Sequence, residues 1–466
     1  MDFKTTDALI ATLRPAAQVT PAGLQVRNWA EFRDLHLDRL VWNAVFAADP
    51  AVRDACRWLC RAAAHAQGAY AASIHDLYMD FGKGAVKGFT VPAINIRGMT
   101  YDVARAVFRS ALGLDAGAVI CEIARSEIGY TFQRPAEYAA VILAAACREG
   151  WVGPVFIQGD HFQTNAKKFA ADPAKESGEI RKLIEEAVPA GFLNIDIDTS
   201  TLVDLKFPTV PEQQKANFAN CAAFTSHIRS LEPKGVTVSV GGEIGEVGFK
   251  NSTVEELRAF MDGYRRSLGA GLAGISKMSV QTGTSHGGIP LPDGTVAKVD
   301  IDFETLKAIS EACRKEYGLG GAVQHGASTL PEALFDRFPQ TGTVEIHLAT
   351  EFQNMMLDHP QFPKDLRERM FAWCRENCQD EAKPGQTDAQ FIYKTRKKAW
   401  GPHKQAIWEL PETVRGPIRA TLEAKFLSLF RKLNLPKTKD AVTKAMKHPK
   451  VLPAAPATLA GKATGA

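Results

Sequence analysis

The sequence predicts an α/β protein whose central part is a (β/α)8 barrel, the TIM-barrel architecture. Eight short apolar segments alternate with helical segments between residues 86 and 353, and eight parallel strands are the number that closes a barrel. Most of these segments begin near glycine and end in polar residues, as expected where the carboxyl ends of strands carry the chemistry. The predicted strands are residues 88–96, 117–125, 153–160, 191–198, 235–243, 272–280, 320–326 and 342–350.

The segments on either side of the barrel are predicted to be mainly helical. Residues 1–85 carry apolar groups at three- and four-residue spacing, which predicts a helical N-terminal extension. The barrel follows over residues 86–353, and residues 354–448 are predicted to form a helical, basic C-terminal region. The composition of residues 449–466, rich in alanine, proline and glycine, is typical of a disordered tail.

The composition is that of an ordinary soluble globular protein, with 45% hydrophobic and 23% charged residues. A formal net charge of +4 is too small to indicate nucleic acid binding, and no apolar run is long enough to span a bilayer. Neither a nucleic acid nor a membrane partner is therefore expected. The 8 cysteines fit neither a disulfide framework nor a Cys-x-x-Cys zinc pattern, and we interpret them as reduced thiols of a cytoplasmic protein.

Polar side chains at the predicted strand ends indicate a metal site. In FIQGDHFQTN, Asp160 and His161 follow an apolar run, and a carboxylate beside an imidazole is a costly way to end a strand in a core. His286 and His325 stand at two other strand ends, each followed by glycine. A single histidine there would more often be structural, but three of them with a carboxylate suit a divalent metal, most naturally zinc. Further polar residues at strand ends are Asn95, Glu122, Asp196, Asp198, Glu243 and His347.

The glycines next to these histidines indicate a possible anion site. The sequences HGG and HGAS, which contain Gly287 and Gly326, leave backbone N–H groups uncovered beside the predicted metal. Such groups, together with the Ser328 hydroxyl, can bind a phosphate. Glycine-rich turns between a strand and a helix are also common without any anion, so the local sequence leaves both interpretations open.

These motifs, in this order, resemble those of the class II, metal-dependent ketose-bisphosphate aldolases over roughly residues 88–353. QGDH resembles the family's strand-3 motif, in which the aspartate is catalytic and the histidine binds zinc; this implies those roles for Asp160 and His161. GTSHGG and HGAS resemble the motifs of the second and third zinc histidines, which implies that His286 and His325 are ligands. The resemblance also places Glu243 at the family's metal-binding glutamate and Asp196 at an aspartate that can touch a mobile metal. The substrate-binding residues that follow from it are Asn95, Gly287, Gly326, Ser328, His347 and Thr350.

The sequence departs from the family in its last strand and in its phosphate contacts. The strand-8 motif reads HLATEFQ, with His347 in place of a substrate-contacting asparagine and Ala349 in place of an aspartate. No lysine follows the second zinc histidine, where many members have a phosphate-binding one. If a second phosphate is bound, its cation must come from elsewhere, and Arg97, Arg125 and residues 393–398 are the candidates.

The proton-abstracting base of the family is also missing from its usual place. The loop after strand 5 reads VGFKNST, without a carboxylate at the expected register. Glu246 in GGEIGEVG is the nearest acid and is the preferred candidate for this base. His347 is the alternative, since an unperturbed histidine titrates near neutral pH.

The resemblance implies a zinc-dependent, reversible aldol cleavage of a ketose phosphate by a homodimer. The default reaction is fructose 1,6-bisphosphate to dihydroxyacetone phosphate and glyceraldehyde 3-phosphate, with zinc polarising the ketone and Asp160 exchanging a proton with the hydroxyl that becomes the aldehyde. CEIARSEIGYT and QGDHFQTN also resemble the non-catalytic subunits associated with tagatose-bisphosphate aldolases, which lack the HGAS-type motif that this chain keeps. A non-catalytic sugar-phosphate-binding subunit is therefore the alternative, and a metal hydrolase on the same fold is a third possibility.

Overall fold

Eight parallel strands form a closed barrel at the centre of the computed structural model, which describes residues 2–20, 23–245, 250–283 and 301–460. The barrel runs in chain order from β4 to β11, and β11 pairs with β4 to close it. This confirms the predicted fold class. The strands are β1 (Ala17–Thr20), β2 (Gly23–Val26), β3 (Ala69–Ala72), β4 (Val91–Asn95), β5 (Ile120–Ala124), β6 (Gly153–Gln163), β7 (Asn194–Asp198), β8 (Ser239–Gly245), β9 (Lys277–Val280), β10 (Ala322–Gln324) and β11 (Glu345–Leu348).

Three strands lie in the N-terminal segment that the sequence predicts to be helical. β1 and β2 form an antiparallel hairpin, and β3 adds to the barrel sheet by pairing in parallel with the first residues of β6. β6 spans 11 residues and pairs with β7 only from Gln158 onwards, so the edge of its first half is available to β3. A fully buried strand as short as β3 has no alternating pattern that periodicity could detect.

Helices surround the barrel and continue beyond it. Those preceding β4 are Thr6–Leu13, Trp29–Glu31, Asp38–Phe46, Pro50–Gln67 and His75–Gly82. Those within the barrel region are Thr100–Gly113, Arg125–Tyr130, Pro135–Glu149, Ala166–Ala171, Pro173–Ala190, Val210–Gln213, Lys215–Leu231, Val254–Ser267, Phe303–Ala312 and Arg337–Thr341. Those following β11 are Thr350–Leu357, Lys364–Asn377, Asp388–Thr395, Lys404–Trp408, Glu412–Lys432, Lys439–Ala445 and Ala457–Ala460. None of these described helices combines the length and the apolar character needed to cross a membrane.

The end of the described chain is packed, although the sequence predicts a disordered tail from residue 449. Trp58 Nε1 donates to the carbonyl of Pro453 at 2.9 Å, and Leu459 in the last described helix is buried. The physical reason is that this segment carries apolar side chains that join the main hydrophobic core. That core also contains side chains of the N-terminal extension, the barrel and the C-terminal region. The division of the chain at residues 85, 353 and 448 stays a prediction.

Candidate active site

A bulge in β6 turns both Asp160 and His161 towards the same cavity. Because adjacent residues of a regular strand point to opposite faces, the sequence predicts that the strand ends at Asp160. β6 instead continues to Gln163, and its pairing with β7 shifts register between Gly159 and Phe162. His161 has a φ of 39°, in the left-handed region. The Phe162 ring packs closely on Gly159, and a Cβ added to Gly159 would lie 2.4 Å from Cε1 of that ring. The bulge, rather than a strand end, therefore lets neighbouring side chains share the site.

Two histidines and a glutamate form the candidate metal centre. His161, Glu243 and His325 each offer one possible ligand atom, and these atoms lie within 4.8 Å of one another. Glu243 Oε2 lies 3.5 Å from His161 Nδ1 and 3.7 Å from His325 Nδ1. A second register shift, between Glu243 and Gly245 in the pairing of β8 with β9, lies beside this carboxylate. Imidazole nitrogens and a carboxylate oxygen are donors that zinc accepts.

Further carboxylates make the centre acidic, which also fits a divalent cation. A second group with possible ligand atoms within 4.8 Å of one another consists of Asp160, Asp196, His325 and His347. Burial, followed by repulsion from Asp198, raises the pKa of Glu243 to about 8. Burial is also the main cause that raises the pKa of Glu122 to about 8. A divalent cation is often the largest charge in such a site and favours the ionised form of buried carboxyl groups.

His347 lies in β11 and is surrounded by carboxylates. Its Nε2 is 2.6 Å from Glu345 Oε1, and its Nδ1 is 3.1 Å from Glu122 Oε1 and 3.2 Å from Asp160 Oδ1. Burial alone would lower the pKa of His347, but these three carboxylates outweigh it and raise the pKa well above its ordinary value. A histidine that keeps both protons is a hydrogen-bond donor at both nitrogens and a poor proton acceptor.

A buried lysine, which is not among the site residues predicted from the sequence, supports this acidic cluster. Lys277 of β9 is fully buried, and its Nζ donates to Gln158 Oε1 at 2.8 Å, to Asp196 Oδ2 at 2.9 Å and to Glu345. Tyr78 also donates to Glu345. The available signal is a lysine within the apolar segment ISKMSV, since lysine is almost never fully buried unless it is paired.

A cavity of about 260 Å³ opens at the carboxyl ends of the barrel strands. The predicted site residues that line it are Asn95, Asp160, His161, His325, Gly326, Ser328, His347 and Thr350. Asn95 Nδ2 donates to Asp160 Oδ2 and to Glu127 Oε2, both at 2.9 Å. Asn95 therefore holds the Asp160 carboxylate in a defined orientation.

The structure places only some of the candidate cations for a second phosphate at the cavity. Arg97 lines the cavity, and residues 393–398 contribute Lys397 to it. Arg125 is instead engaged elsewhere: its Nη1 donates to the carbonyl of Gln163 at 2.7 Å and pairs with Glu176. Three other predicted site residues, Glu246, His286 and Gly287, lie outside the described residues.

The fold and the site define a (β/α)8-barrel protein with a candidate metal centre at the carboxyl ends of its strands. The chain belongs to the class II fructose-bisphosphate aldolase family, because the model of that family, described as "Fructose-bisphosphate aldolase class-II", matches residues 81–399, more than half of the chain. This confirms the predicted resemblance. A comparison with curated proteins finds no match.

The chain is also similar to solved structures at low sequence identity. A probable tagatose 6 phosphate kinase from Sinorhizobium meliloti has a TM-score of 0.53 and 17% identity, over 77% of this chain and 99% of its own. The fructose-bisphosphate aldolase from Campylobacter jejuni has a TM-score of 0.48 and 17% identity, over 79% and 97% of the two chains. The YdjI aldolase from Escherichia coli K12 has a TM-score of 0.45 and 14% identity, over 78% and 98%.

Proposed function

We propose that this protein is a zinc-dependent lyase that cleaves a ketose phosphate in a reversible aldol reaction, with fructose 1,6-bisphosphate as the default substrate. The observation that carries the proposal is the group formed by His161, Glu243 and His325, whose possible ligand atoms lie within 4.8 Å of one another beside Asp160. Family membership supports the reaction class. The protein would act on small sugar phosphates as a cytoplasmic homodimer, and its eight cysteines, all free, fit a reducing compartment.

His161, Glu243 and His325 would hold the divalent cation, with His286 as a further ligand implied by the family resemblance. When bound, the cation would polarise the carbonyl group of the substrate as a Lewis acid. Asp198 would keep the His161 ring in place, since its Oδ2 lies 3.1 Å from His161 Nδ1. Such a carboxylate contact fixes the orientation of a metal-binding imidazole.

Asp160 would exchange a proton with the substrate hydroxyl that becomes the aldehyde. Its Oδ2 accepts from Asn95, and its Oδ1 lies 3.2 Å from His347 Nδ1 and 3.7 Å from His161 Nε2. Burial opposes ionisation of Asp160, and a divalent cation held by His161 and His325 would favour the ionised form. An ionised carboxylate that lines the cavity is able to accept the hydroxyl proton.

The reverse reaction requires a base that removes a proton from the carbon next to the carbonyl. We propose Glu246 for this role, because it directly follows β8, the strand that carries Glu243. His347, the alternative from the sequence, is less suited, since the carboxylates around it raise its pKa well above the ordinary value. It would instead contact substrate from its place in the cavity wall.

The rest of the cavity wall would bind the sugar phosphate. We propose phosphate contacts from the Ser328 and Thr350 hydroxyls and from the backbone of Gly287 and Gly326, and a substrate contact from Asn95. Ser328, Thr350, Gly326 and Asn95 line the cavity. Hydroxyls and uncovered N–H groups are suitable donors to phosphate oxygens.

The test is release of triose phosphate from a panel of ketose phosphates, with and without chelator, combined with metal analysis of the purified protein. We expect about one divalent ion per chain and chelator-sensitive triose release. The His325→Ala variant should lose both the bound ion and the triose release. The control is His359→Ala, which should keep both, because the contact of His359 with Thr421 is exposed. A metal-loaded protein that releases no triose would support the non-catalytic subunit. Release of inorganic phosphate without triose would support the hydrolase.

A further inference from the structure

A second cavity, of about 420 Å³, lies at the opposite end of the barrel from the candidate active site. Residues 268–275 line it and precede β9, and Tyr317 and Leu319 line it and precede β10. The cavity of the candidate active site instead includes His325, which follows β10. Small-molecule sites are usually cavities of about 300–1,000 Å³. The second cavity therefore has the size of a ligand site and is separate from the candidate metal centre.

One wall of this second cavity is the glycine-rich loop of residues 268–275, and Arg229 holds that loop in place. Arg229 Nε donates to the carbonyl of Ala273 at 2.8 Å, and its Nη2 donates to the carbonyl of Gly274 at 3.0 Å. Its Nη1 donates to the carbonyl of Val238 at 2.7 Å. The guanidinium group thus fastens the loop to the segment that leads into β8. The cavity is formed without a ligand, as is usual for small-molecule sites.

Apolar and aromatic side chains make up most of the lining. Two methionines, Met79 and Met261, and two aromatic rings, Tyr264 and Tyr317, contribute to it. Leu272 also lines the cavity, although 40% of it is exposed. Thioether groups adapt their shape and make favourable contacts with aromatic rings, and aromatic rings pack well on one another. This lining favours a ligand with an aromatic body.

Three of the four polar side chains in the lining have partners. The Tyr264 hydroxyl donates to Thr225 Oγ1 at 3.1 Å, and the Tyr317 hydroxyl donates to Asp262 Oδ1 at 3.2 Å. Arg265 Nη2 donates to the carbonyl of Tyr317 at 3.0 Å, and its guanidinium group lies 4.8 Å from the centre of the Tyr317 ring. These groups are therefore already engaged with the protein itself.

The fourth polar side chain, His75, has a buried nitrogen that is not engaged. Over residues 2–20, 23–245, 250–283 and 301–460, no group forms a hydrogen bond with His75 Nδ1. Burial, followed by repulsion from Arg229, lowers the pKa of His75 to about 4, so its imidazole is neutral at pH 7. A neutral imidazole has one donor nitrogen and one acceptor nitrogen. A buried polar atom without a partner costs free energy, and a ligand that hydrogen-bonds to it would remove this cost.

We propose that this cavity binds a small, uncharged aromatic molecule whose hydroxyl group forms a hydrogen bond with His75. A hydroxyl group can both donate and accept, so it fits either tautomer of the imidazole. The methionines and the tyrosine rings contact the aromatic body of the ligand. An uncharged ligand fits a lining in which the arginine is already engaged, because burying an unpaired charge is costly. The proposal does not depend on the reaction that the protein catalyses.

The experiment compares p-cresol with toluene, which differs from it only by the missing hydroxyl group. Each is added to the full-length protein with isotope-labelled methionine methyl groups, whose NMR signals are assigned by Met→Leu substitutions. We expect affinity in the millimolar range, as for other ligands of so few atoms. The signals of Met79 and Met261 should shift, and that of Met370, fully buried in the helix Lys364–Asn377, should not.

The p-cresol affinity should exceed the toluene affinity about 2- to 10-fold, the effect of one net hydrogen bond. Equal affinities would mean that water rather than a ligand satisfies His75 Nδ1, and would overturn the proposal. Shifts confined to methionines other than Met79 and Met261, or no binding of p-cresol, would overturn it as well.

A variant series tests the role of the imidazole. His75→Leu should abolish the preference for p-cresol over toluene, and His75→Asn, whose amide group lies near the position of Nδ1, should restore it. His359→Leu is the matched control and should keep the preference, because the contact of His359 with Thr421 is exposed. Both ligands are compared on the same variant, so a general loss of stability alters both affinities alike. A preference that persists in His75→Leu would refute the proposed hydrogen bond.

Discussion

Replacing Lys277 with methionine should destabilise the protein, because it removes an ammonium group shared by three buried acceptors. Lys277 is fully buried, and its Nζ donates to Gln158, Asp196 and Glu345. Removing one partner of a buried ion pair typically costs about 3–5 kcal/mol, since the other charge stays buried and unpaired. We therefore expect the free energy of unfolding at pH 7 to fall by about 3–5 kcal/mol. Urea denaturation followed by tryptophan fluorescence measures this change.

The control is Lys315→Met, which removes a lysine whose side chain is 74% exposed and pairs with Glu311 four residues earlier. Its effect should stay within about 0.5 kcal/mol. In a second variant, adding Glu345→Gln to Lys277→Met should recover part of the lost free energy of unfolding, because it removes a carboxylate that has lost its ammonium partner. A Lys277→Met protein with the parent free energy of unfolding would refute the view that the ammonium stabilises these carboxylates.

The same interaction predicts a pH dependence. Burial favours the neutral form of Glu345, but Lys277 and His347 outweigh it and lower its pKa to about 2. A carboxyl group with a lowered folded-state pKa contributes stability above its unfolded pKa of about 4.3 and loses it as the pH falls towards the folded value. The difference in stability between the parent and Lys277→Met should therefore narrow as the pH is lowered from about 4.3 towards 2. A difference that widens over this range would contradict the assignment.

Three further predictions concern the candidate site and the packing of Trp400 on Gly98. Asp160→Ala should keep its metal and lose turnover by about 10²–10⁴-fold in the triose assay, whereas metal loss rescued by excess zinc would indicate that Asp160 only orients a ligand. Gly98→Ala should lower the free energy of unfolding by about 1–3 kcal/mol in urea denaturation, since its Cβ would lie 2.2 Å from Trp400 Cε3; parent stability would contradict this packing. Glu246→Gln should lose exchange of the dihydroxyacetone phosphate C–H proton with solvent. If Glu246→Gln exchanges at the parent rate and His347→Asn does not, the base is His347.

Local patterns in the sequence were sufficient to predict the strands of the barrel. Every barrel strand overlaps a predicted segment, as β4 (Val91–Asn95) does with residues 88–96 and β11 (Glu345–Leu348) with residues 342–350. The reason is that a parallel strand covered on both faces must be apolar along its length. The point at which polar residues begin therefore marks the end of the strand in the sequence. The same reasoning brought Asp160 and His325 to one cavity, since the carboxyl ends of parallel strands meet at one end of a barrel.

Only the tertiary structure decided how the side chains of the candidate site are oriented and which residues support them. β6 and β8 run past their predicted ends, and both contain a bulge, a local register shift that depends on the partner strand. The pairing of Lys277 with buried carboxylates joins segments that are distant in the chain. Arg97 and Lys397 are equally distant in the chain and line one cavity. Periodicity reports only which face of one segment is buried. Which charges meet across the barrel follows from how all the segments pack. This packing determines both the support of the candidate metal centre and the charges that line the cavity.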